Sequence, residues 1–183
     1  MKQLLSILLV ALFITSCSQR PPEKTLVVYF SHTNNTATIA RYIQSLTNAD
    51  TFRLEPIEAY PRVYEQHEPI AKKERDNQAR PTLKADVENI NEYDVIFIGF
   101  PIWWEDAPMI IATFLESHDF TGKTIIPFCT HGGGGPGQAF NKVKQYTPQA
   151  KHPEGFATKG NSVASDKPNV KLWLKRIGKL KNK

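Results

Sequence analysis

The polar residues that follow the first apolar run of the chain have the composition of an anion-binding loop. Directly after Leu26–Phe30 come one histidine and five hydroxyl or amide side chains: Ser31, His32, Thr33, Asn34, Asn35 and Thr36. Apolar residues then recur at helical spacing from Ile39, so the loop opens a helix, whose first N–H groups and macrodipole attract anions. The loop lacks the lysine of a nucleoside-triphosphate P-loop, and we expect it to bind a single terminal phosphate. Helix capping by Thr33 or Asn34 alone is the competing interpretation.

Two further loops of unusual composition each follow a strongly apolar run. The first run, Val95–Phe100, leads into a proline and two tryptophans, and the second, Thr124–Cys129, leads into a histidine and four glycines. The candidate ligand-contacting residues of these loops are Pro101, Ile102, Trp103, Trp104, Thr130, His131, Gly132, Gly133 and Gly134. Tryptophans offer large flat faces, and consecutive glycines let the backbone approach a ligand closely. Core packing of the tryptophans and a flexible hairpin tip at the glycines are the alternatives.

Strands alternate with helices along the chain, which predicts a doubly wound α/β sheet. The nearly continuous apolar runs are typical of strands that are covered on both faces, as in a parallel sheet. Because the carboxyl ends of parallel strands meet at one edge, we expect the three loops to converge on one crevice at the topological switch point. A flat aromatic ligand with a phosphate tail, such as flavin mononucleotide (FMN), fits the three loops together.

The remaining segments predict the less distinctive parts of this sheet. Thr51–Ile57 alternates as a strand, and Pro56 within it suits an edge position. Tyr60–Ala79 predicts a turn and a solvated helix, and Gln78–Asn91 predicts an irregular connection. Gly155–Thr158 predicts a short last strand. The closing helix that follows has these residues on its buried side: Val170, Trp173, Leu174 and Ile177.

The composition indicates one domain with a modest basic excess. The chain has 183 residues, 40% of them hydrophobic, and a formal net charge of +5, which is enough for one substantial core. Basic residues crowd near the carboxyl terminus, where a solvated helix face and contact with anionic lipid are alternative interpretations. No motif supports nucleic-acid binding, and no HExxH or paired Cys/His spacing suggests a metal site. Cys129 is interpreted as a buried thiol rather than a nucleophile served by His131.

The first residues predict export and lipidation. Lys2 precedes an apolar segment, Leu4–Ile14, that is too short for a stable membrane anchor. The segment ends in Ile14-Thr15-Ser16-Cys17, which resembles the lipobox of bacterial lipoproteins. The resemblance implies a signal peptide over residues 1–16, a lipidated tether over 17–24 that starts at Cys17, and a folded domain over 25–183. Its acyl chains would hold the domain at a bacterial cell-envelope membrane, on the periplasmic or extracellular side. An ordinary secretory signal is the alternative.

Four segments together resemble the flavodoxin-like family, specifically a small bacterial branch of it. They read YFSHTNNTATIA, NQARP, YDVIFIGFPIWWEDAP and FLESHDFTGKTIIPFCTHGGGGPG, and the resemblance covers roughly residues 25–177. It implies a flavodoxin-like doubly wound sandwich with a five-stranded parallel sheet in the order 2-1-3-4-5. It also implies that FMN is the cofactor, with its ring and ribityl chain between Pro101–Trp104 and Thr130–Gly134. The residues implied at the phosphate are Ser31, Thr33, Asn34, Asn35 and Thr36.

The chain departs from the family pattern at two loop positions and in its charge. Asn34 stands where the family usually has glycine, and asparagine tolerates the left-handed backbone region better than most residues. His131 stands where a small residue is common, and it can hydrogen-bond the flavin, donate a proton or face solvent. His32 adds a positive charge to the phosphate loop at low pH. The basic chain also contrasts with flavodoxin electron carriers, which are typically acidic.

The resemblance and the expected location together predict an FMN-binding redox protein at a membrane surface. Such a protein transfers electrons or acts as an FMN-dependent oxidoreductase, with the flavin supplying the redox chemistry. Outside the glycine loop that follows Thr124–Cys129, the chain has no GxGxxG motif after a strand, and we therefore expect no second nucleotide-binding domain. We therefore expect a redox partner protein or a quinone-type acceptor rather than a dinucleotide. A flavin-binding lipoprotein without turnover, acting as a carrier or an interaction module, is the alternative.

Overall fold

A computed structural model describes residues 23–181. Residues 1–22 and 182–183, which include the predicted signal peptide and Cys17, lie outside the described part of the chain. The strands of the described part are β1 (Thr25–Tyr29), β2 (Asp50–Arg53), β3 (Val95–Pro101), β4 (Thr124–His131) and β5 (Phe156–Lys159). Its α-helices are α1 (Asn35–Thr47), α2 (Tyr64–Asp76), α3 (Met109–Glu116), α4 (Ala139–Tyr146) and α5 (Lys167–Arg176). None of the helices between residues 23 and 181 has both the length and the apolarity needed to cross a bilayer.

The strands form one parallel sheet in the order β2-β1-β3-β4-β5. This is the order that the family resemblance implies, so the predicted fold class is confirmed. The chain runs outward in one direction from β1 to β2 and then returns to place β3 on the other side of β1. The loops that follow β1 and β3 therefore flank the switch point of the sheet, where open α/β sheets bind ligands.

Helices cover both faces of the sheet, as the unbroken apolar strands predict. On one face, Val27 and Phe97 pack with residues of α1 and α5, including Ile43 and Trp173. On the other face, strand residues such as Ile98 pack with residues of α3 and α4. Since the side chains of β3 from Val95 to Phe100 are completely buried, this strand holds its carboxyl end, and the loop attached to it, in a fixed position.

The second strand is shorter than its alternating sequence predicts. Thr51–Ile57 was the expected strand, whereas β2 ends at Arg53. Beyond it the chain pairs instead with a later segment, because the Ile57 N–H donates to Thr82 O at 2.9 Å and the Lys84 N–H donates to Glu55 O at 2.8 Å. Pro56, which has no N–H to offer the sheet, lies at an antiparallel bridge with Leu83. The expectation that Gln78–Asn91 is wholly irregular misses this pairing, which depends on residues far apart in sequence.

Candidate functional site

Three loops that follow strands β1, β3 and β4 meet at the carboxyl edge of the sheet. They surround an open cavity of about 330 Å³. The residues that line it are Thr33, Asn35, Pro101, Ile102, Thr130, His131, Gly132, Gly160 and Asn161. The sequence therefore predicts correctly that these three loops come together at one place.

The first loop, residues 31–36, is held by hydrogen bonds beneath its exposed rim. The Ser31 hydroxyl accepts a hydrogen bond from the Ala37 N–H at 3.2 Å, and the Arg53 guanidinium donates to Ser31 O at 2.8 Å. Thr36 and Thr130 join the first loop to the third, because their hydroxyl oxygens lie 2.9 Å apart in a buried pair. Ser31 and Thr36 thus shape the loop from below, while Thr33 and Asn35 face the cavity.

Asn34 adopts the left-handed conformation that its position in the loop requires. Its φ is 66° and its ψ is 0°, and its side chain makes no capping hydrogen bond to α1. Asn34 is therefore the N-cap residue of α1 by position, but it does not cap the helix through its side chain. The turn instead brings Asn35 and Thr36 into the first turn of α1, where their N–H groups have no acceptor within the helix. These groups and the positive end of the helix dipole make this end of α1 suitable for an anion.

The second loop, residues 101–108, contains a tight turn with an unusual backbone. Trp103 and Asp106 exchange N–H···O bonds of 2.9 and 3.0 Å. The two residues between them, Trp104 and Glu105, have φ angles of 53° and 61°, a region that costs non-glycine residues free energy. The turn is held from both sides, because Arg75 donates to Trp104 O at 3.1 Å and the Gln138 N–H donates to Glu105 O at 2.9 Å.

The two tryptophan side chains lie beside the three-loop cavity rather than in its lining. The Trp103 ring packs against Phe30, Tyr60 and His67, with ring centroids 5.4, 5.0 and 5.1 Å apart. Trp104 is 39% exposed, and its indole N–H donates to Glu68 O on α2 at 3.3 Å. Ile102 lies between the two tryptophans and the three-loop cavity. It lines this cavity on one side, and on the other side it lines a smaller cavity together with Trp103 and Trp104.

The third loop, residues 131–137, is closed by the His131 side chain. The Gly135 N–H donates to Nδ1 of His131 at 3.2 Å, so Nδ1 is the unprotonated nitrogen and the imidazole proton lies on Nε2. A Cβ placed on Gly132, Gly133 or Gly134 would meet no atom within 4 Å, so no neighbouring atom excludes a side chain at these positions; of the three, Gly132 lines the cavity. Gly137 is different, because its φ is +52° and a Cβ there would lie 2.2 Å from Glu105 O.

Both histidines of the predicted site favour the neutral form. Burial lowers the pKa of His131, and the positive charge of Lys159 lowers it further. Burial also lowers the pKa of His32, and His67 and Arg62 add to this effect, although a hydrogen bond with the Arg62 backbone opposes it. The His32 ring lies 4.4 Å from the His67 ring and faces a neighbouring groove rather than the three-loop cavity. The first and third loops therefore carry little positive charge from His32 and His131 at neutral pH.

Two residues of the cavity that were not predicted, Gly160 and Asn161, follow β5. A Cβ on Gly160 would lie 2.7 Å from the amide nitrogen of Asn35, so glycine lets the fourth loop approach the first. This loop could have been found by the criterion that selected the other three, which is the presence of small or polar residues directly after a predicted strand. A glycine and an asparagine come directly after a strand that ends at the same edge.

Other reactive side chains take no part in the cavity. Cys129 is completely buried, and this burial raises the pKa of its thiol to about 12, as expected for a structural cysteine. Within residues 23–181, no three His, Cys, Asp or Glu side chains are close enough to hold a metal ion. The predicted lipidation site, Cys17, lies outside the described residues.

The chain has clear similarity to known proteins in sequence and in fold. A family model described as flavodoxin matches residues 24–177. A solved candidate flavoprotein from Bacteroides eggerthii DSM 20697 is 34% identical, with a TM-score of 0.73 over 86% of this chain and 99% of that one. A second one, from Bacteroides uniformis ATCC 8492, is also 34% identical, with a TM-score of 0.72 over 84% of this chain and 98% of that one.

A more distant structure shares the fold. It is a flavoprotein from Lactobacillus acidophilus NCFM in complex with FMN, which is 20% identical to this chain, with a TM-score of 0.63 over 79% of this chain and 98% of that one. None of the curated proteins matches this chain.

Proposed function

The chain belongs to the flavodoxin family, and on that premise we propose that it is an FMN-binding redox protein of the bacterial cell envelope. The observation that carries the proposal is the cavity at the switch point of the sheet, where the polar loop, the tryptophan loop and the glycine loop meet. This is the place where a doubly wound sheet binds its ligand. The flavoprotein from Lactobacillus acidophilus was solved in complex with FMN, which agrees with this cofactor.

The residues at the cavity fit the three parts of FMN. The first turn of α1 offers N–H groups to a phosphate, and the left-handed Asn34 directs the chain into that turn. Thr33 and Asn35 add a hydroxyl and an amide at the rim. The glycines of the third loop leave room for a flat ring system between this loop and Ile102. No positively charged side chain from the loop is needed, because the helix end carries the favourable charge.

The bound flavin supplies the electron chemistry, and the protein positions and tunes it. The buried hydroxyl pair of Thr36 and Thr130 fixes the distance between the phosphate loop and the third loop. His131 closes the third loop through Nδ1, and its tautomer leaves an N–H at Nε2. Because His131 lines the cavity, this N–H is available as a hydrogen-bond donor to the ring of the cofactor. The basic net charge of the chain, which is +5 when Lys2 of the predicted signal peptide is included, favours a negative charge on the cofactor and raises its reduction potential relative to an acidic surround.

Membrane attachment is the second part of the proposal, and it rests on the sequence. The lipobox-like segment before Cys17 supports cleavage and lipidation at that residue, and β1 begins at Thr25, a short distance along the chain. Two or more acyl chains are sufficient for stable anchoring. In this location a redox partner protein or a quinone-type acceptor is the expected partner. Mass spectrometry of the mature protein and its recovery in the membrane fraction test this part, with Cys17→Ser as the soluble control.

Titration of the mature apoprotein with FMN tests the cofactor assignment. We expect quenching of FMN fluorescence with a saturating, one-to-one stoichiometry, followed by reversible reduction of the complex. A folded protein that leaves FMN fluorescence unchanged would refute the cofactor assignment. A protein that binds FMN but cannot be reduced and reoxidised would instead be a flavin carrier without turnover.

A further inference from the structure

The positive charge of the domain is concentrated on one face. This basic face consists of α1 and of residues 167–181, which comprise α5 and the segment after it. It contains seven lysines and arginines and no aspartate or glutamate. The rest of residues 23–181 contains 13 lysines and arginines against 18 aspartates and glutamates. The basic face therefore carries the whole positive excess of this part of the chain, and the remaining surface is net acidic.

The two helices of the basic face form one continuous surface over the sheet. The Tyr42 hydroxyl on α1 donates to Ala164 O just before α5 at 3.1 Å. At the other end, the Lys181 N–H donates to Leu46 O at 3.2 Å. The inner side of α5 is buried against α1 and the sheet, where Trp173 is 1% exposed. These contacts fix which side of α5 faces outward.

The outer side of α5 presents an exposed leucine between lysines. Leu172 is 63% exposed, and the exposed Lys171 and Lys175 lie beside it on the helix. Two lysines four residues apart repel each other and destabilise a helix in water, so helix stability does not explain this arrangement. An apolar side chain among lysines is instead typical of a helix that lies on anionic lipid, where the apolar group enters the headgroup boundary.

The acidic groups around the basic face are already occupied. Glu154 accepts two hydrogen bonds from the Arg176 guanidinium, at 2.8 and 3.0 Å. Glu23 accepts one from the Lys179 ammonium at 2.7 Å. Asp166, which precedes α5, is only 7% exposed. Four lysines of this face form no ion pair within residues 23–181 and can meet an external anion: Lys167, Lys171, Lys175 and Lys181.

The tether predicted from the sequence joins the domain beside this face. Glu23, which is bonded to Lys179, stands just before β1. Cys17, the predicted lipidation site, lies six residues earlier in the sequence, a stretch that spans at most about 20 Å. A lipid on Cys17 would thus hold the end of the basic face close to the bilayer. Such a tether raises the effective concentration of the face at the headgroups, so that weak contacts are sufficient.

We infer that the basic face is a docking surface for a membrane of anionic phospholipids, with Leu172 at the headgroup boundary and the unpaired lysines on phosphate groups. The orientation of the anchored domain rests on the proposed function, because lipidation at Cys17 is part of it. β1 begins at the edge of the sheet opposite to the cofactor cavity, and a strand of seven residues such as β3 is about 23 Å long. The cofactor cavity therefore opens away from the tether, toward partners in the aqueous phase.

Vesicle binding by the chain without acyl groups tests the surface by itself. The chain from residue 18 onward contains all five strands and both sides of the core, so it keeps the fold. We expect it to sediment with vesicles of equal parts phosphatidylglycerol and phosphatidylcholine, and not with vesicles of phosphatidylcholine alone. Raising the ionic strength from about 0.1 M to about 1 M shortens the screening length from about 10 Å to about 3 Å and should release it.

Two results of this experiment would overturn the inference. One is equal binding to both kinds of vesicle, which would show that the lysines do not recognise anionic lipid. The other is binding to soluble polyglutamate but to neither kind of vesicle, which would indicate an acidic protein as the partner of the basic face.

A matched pair of double variants locates the surface. Lys171→Gln with Lys175→Gln should weaken binding to the anionic vesicles about thirtyfold. Lys142→Gln with Lys144→Gln removes the same charge from α4 on the other face of the sheet and should leave the binding nearly unchanged. Glutamine has nearly the helix propensity of lysine, so both variants should fold, which circular dichroism checks. Equal weakening in the two would show that binding follows net charge alone and would overturn the inference.

A fluorescent label shows which helix meets the lipid. Cys129 is completely buried and is the one cysteine from residue 18 onward, so an added surface cysteine can be labelled selectively. An environment-sensitive fluorophore on Leu172→Cys should shift to shorter wavelength when anionic vesicles are added. The same fluorophore on Gln145→Cys, an exposed position of α4, should not. A shift at residue 145 without one at residue 172 would refute docking through α5.

The inference and the proposed function can fail separately. If mass spectrometry finds acyl groups on Cys17 but the unlipidated chain ignores anionic vesicles, the docking surface is refuted and the lipid anchor stands. If Cys17 carries no acyl group and the label at residue 172 still responds, the docking surface is supported, while the orientation by a tether is refuted. FMN binding should be equal in the two double variants, because none of their four lysines lines the cofactor cavity.

Discussion

Replacing Thr36 by valine removes one hydroxyl from the buried pair that joins the first loop to the third loop. The Thr36 and Thr130 side chains are 1% and 4% exposed, and their hydroxyl oxygens are 2.9 Å apart. Valine has nearly the same shape as threonine, so the change leaves the packing in place and leaves the Thr130 hydroxyl without this partner. A buried polar group that loses its partner costs about 1–3 kcal/mol. We expect Thr36→Val to lower the free energy of unfolding by about 2 kcal/mol.

The double variant shows whether this cost comes from the pair. Thr130→Val alone should cost a similar amount, because it leaves the Thr36 hydroxyl unpaired. Replacing both threonines removes both polar groups, and such a double replacement is nearly neutral. Since each single change costs about 2 kcal/mol and the double change costs close to nothing, the coupling free energy between the two positions should be about 4 kcal/mol, well above the roughly 0.5 kcal/mol deviation of independent sites.

Urea unfolding of the apoprotein, followed by circular dichroism, measures these free energies. With an m-value of about 2 kcal/mol/M, a loss of 2 kcal/mol moves the unfolding midpoint by about 1 M. Thr47→Val is the matched control. Thr47 is also buried on α1, but its hydroxyl donates to Ile43 O in the same helix, and it lies at the opposite end of α1 from the loop. We expect this control to leave FMN affinity unchanged, whereas Thr36→Val should weaken it.

Two results would refute this reasoning. If the two single variants and the double variant add within 0.5 kcal/mol, the hydroxyls do not stabilise each other. If Thr36→Val lowers stability but leaves FMN affinity equal to that of Thr47→Val, the pair stabilises the fold without positioning the phosphate loop.

Three further predictions concern the third loop and the strand before it. The pKa of His131 is lowered, so its Nδ1 stays an acceptor at neutral pH, and FMN affinity should fall only as the pH drops below about 6.5, where protonation ends the hydrogen bond from the Gly135 N–H. FMN titrations from pH 8 to 5 should show a smaller decline in His131→Asn, because asparagine keeps an acceptor that does not titrate. An equal decline in the two proteins would contradict the role of His131. Gly137→Ala should lower the free energy of unfolding by about 2 kcal/mol or more in urea, since a Cβ would strike Glu105 O; an unchanged midpoint would show that the loop adjusts freely. Cys129, buried and with a pKa of about 12, should react with a thiol reagent only in denaturant, and rapid labelling of the native protein would refute its burial.

The order of elements could be derived from the sequence because it depends on local patterns. The apolar runs that became β3 and β4 have no polar interruption, which is possible only for strands covered on both sides. The positions of the loops after these strands then follow from the geometry of a parallel sheet. Asn34 illustrates the same point at the level of one residue, because its expected tolerance of the left-handed region matches its φ of 66°.

Side-chain directions within the loops could not be derived in this way. Trp103 and Trp104 are adjacent residues of one loop, yet Trp103 packs among Phe30 and Tyr60 while Trp104 lies against α2. Which way each ring turns depends on the rings already present beneath the loop and on the backbone of the turn at Trp104 and Glu105. These contacts join residues that are distant in sequence, and no local spacing encodes them. The space that Trp103 and Trp104 line beside Ile102 has the same origin.

The sequence by itself determined the α/β class, the sheet order through the family resemblance, and the meeting of the polar, tryptophan and glycine loops at the carboxyl edge of the sheet. These depend on periodicity, on glycine and asparagine at special backbone positions, and on the parallel sheet rule. Only the tertiary structure decided the tautomer of His131, the pairing of Thr36 with Thr130, and the position of Ile102 between the three-loop cavity and the space that the two tryptophans line. The physical reason is that hydrogen bonds and ring packing act over a few ångströms in space, and only the folded chain sets those distances.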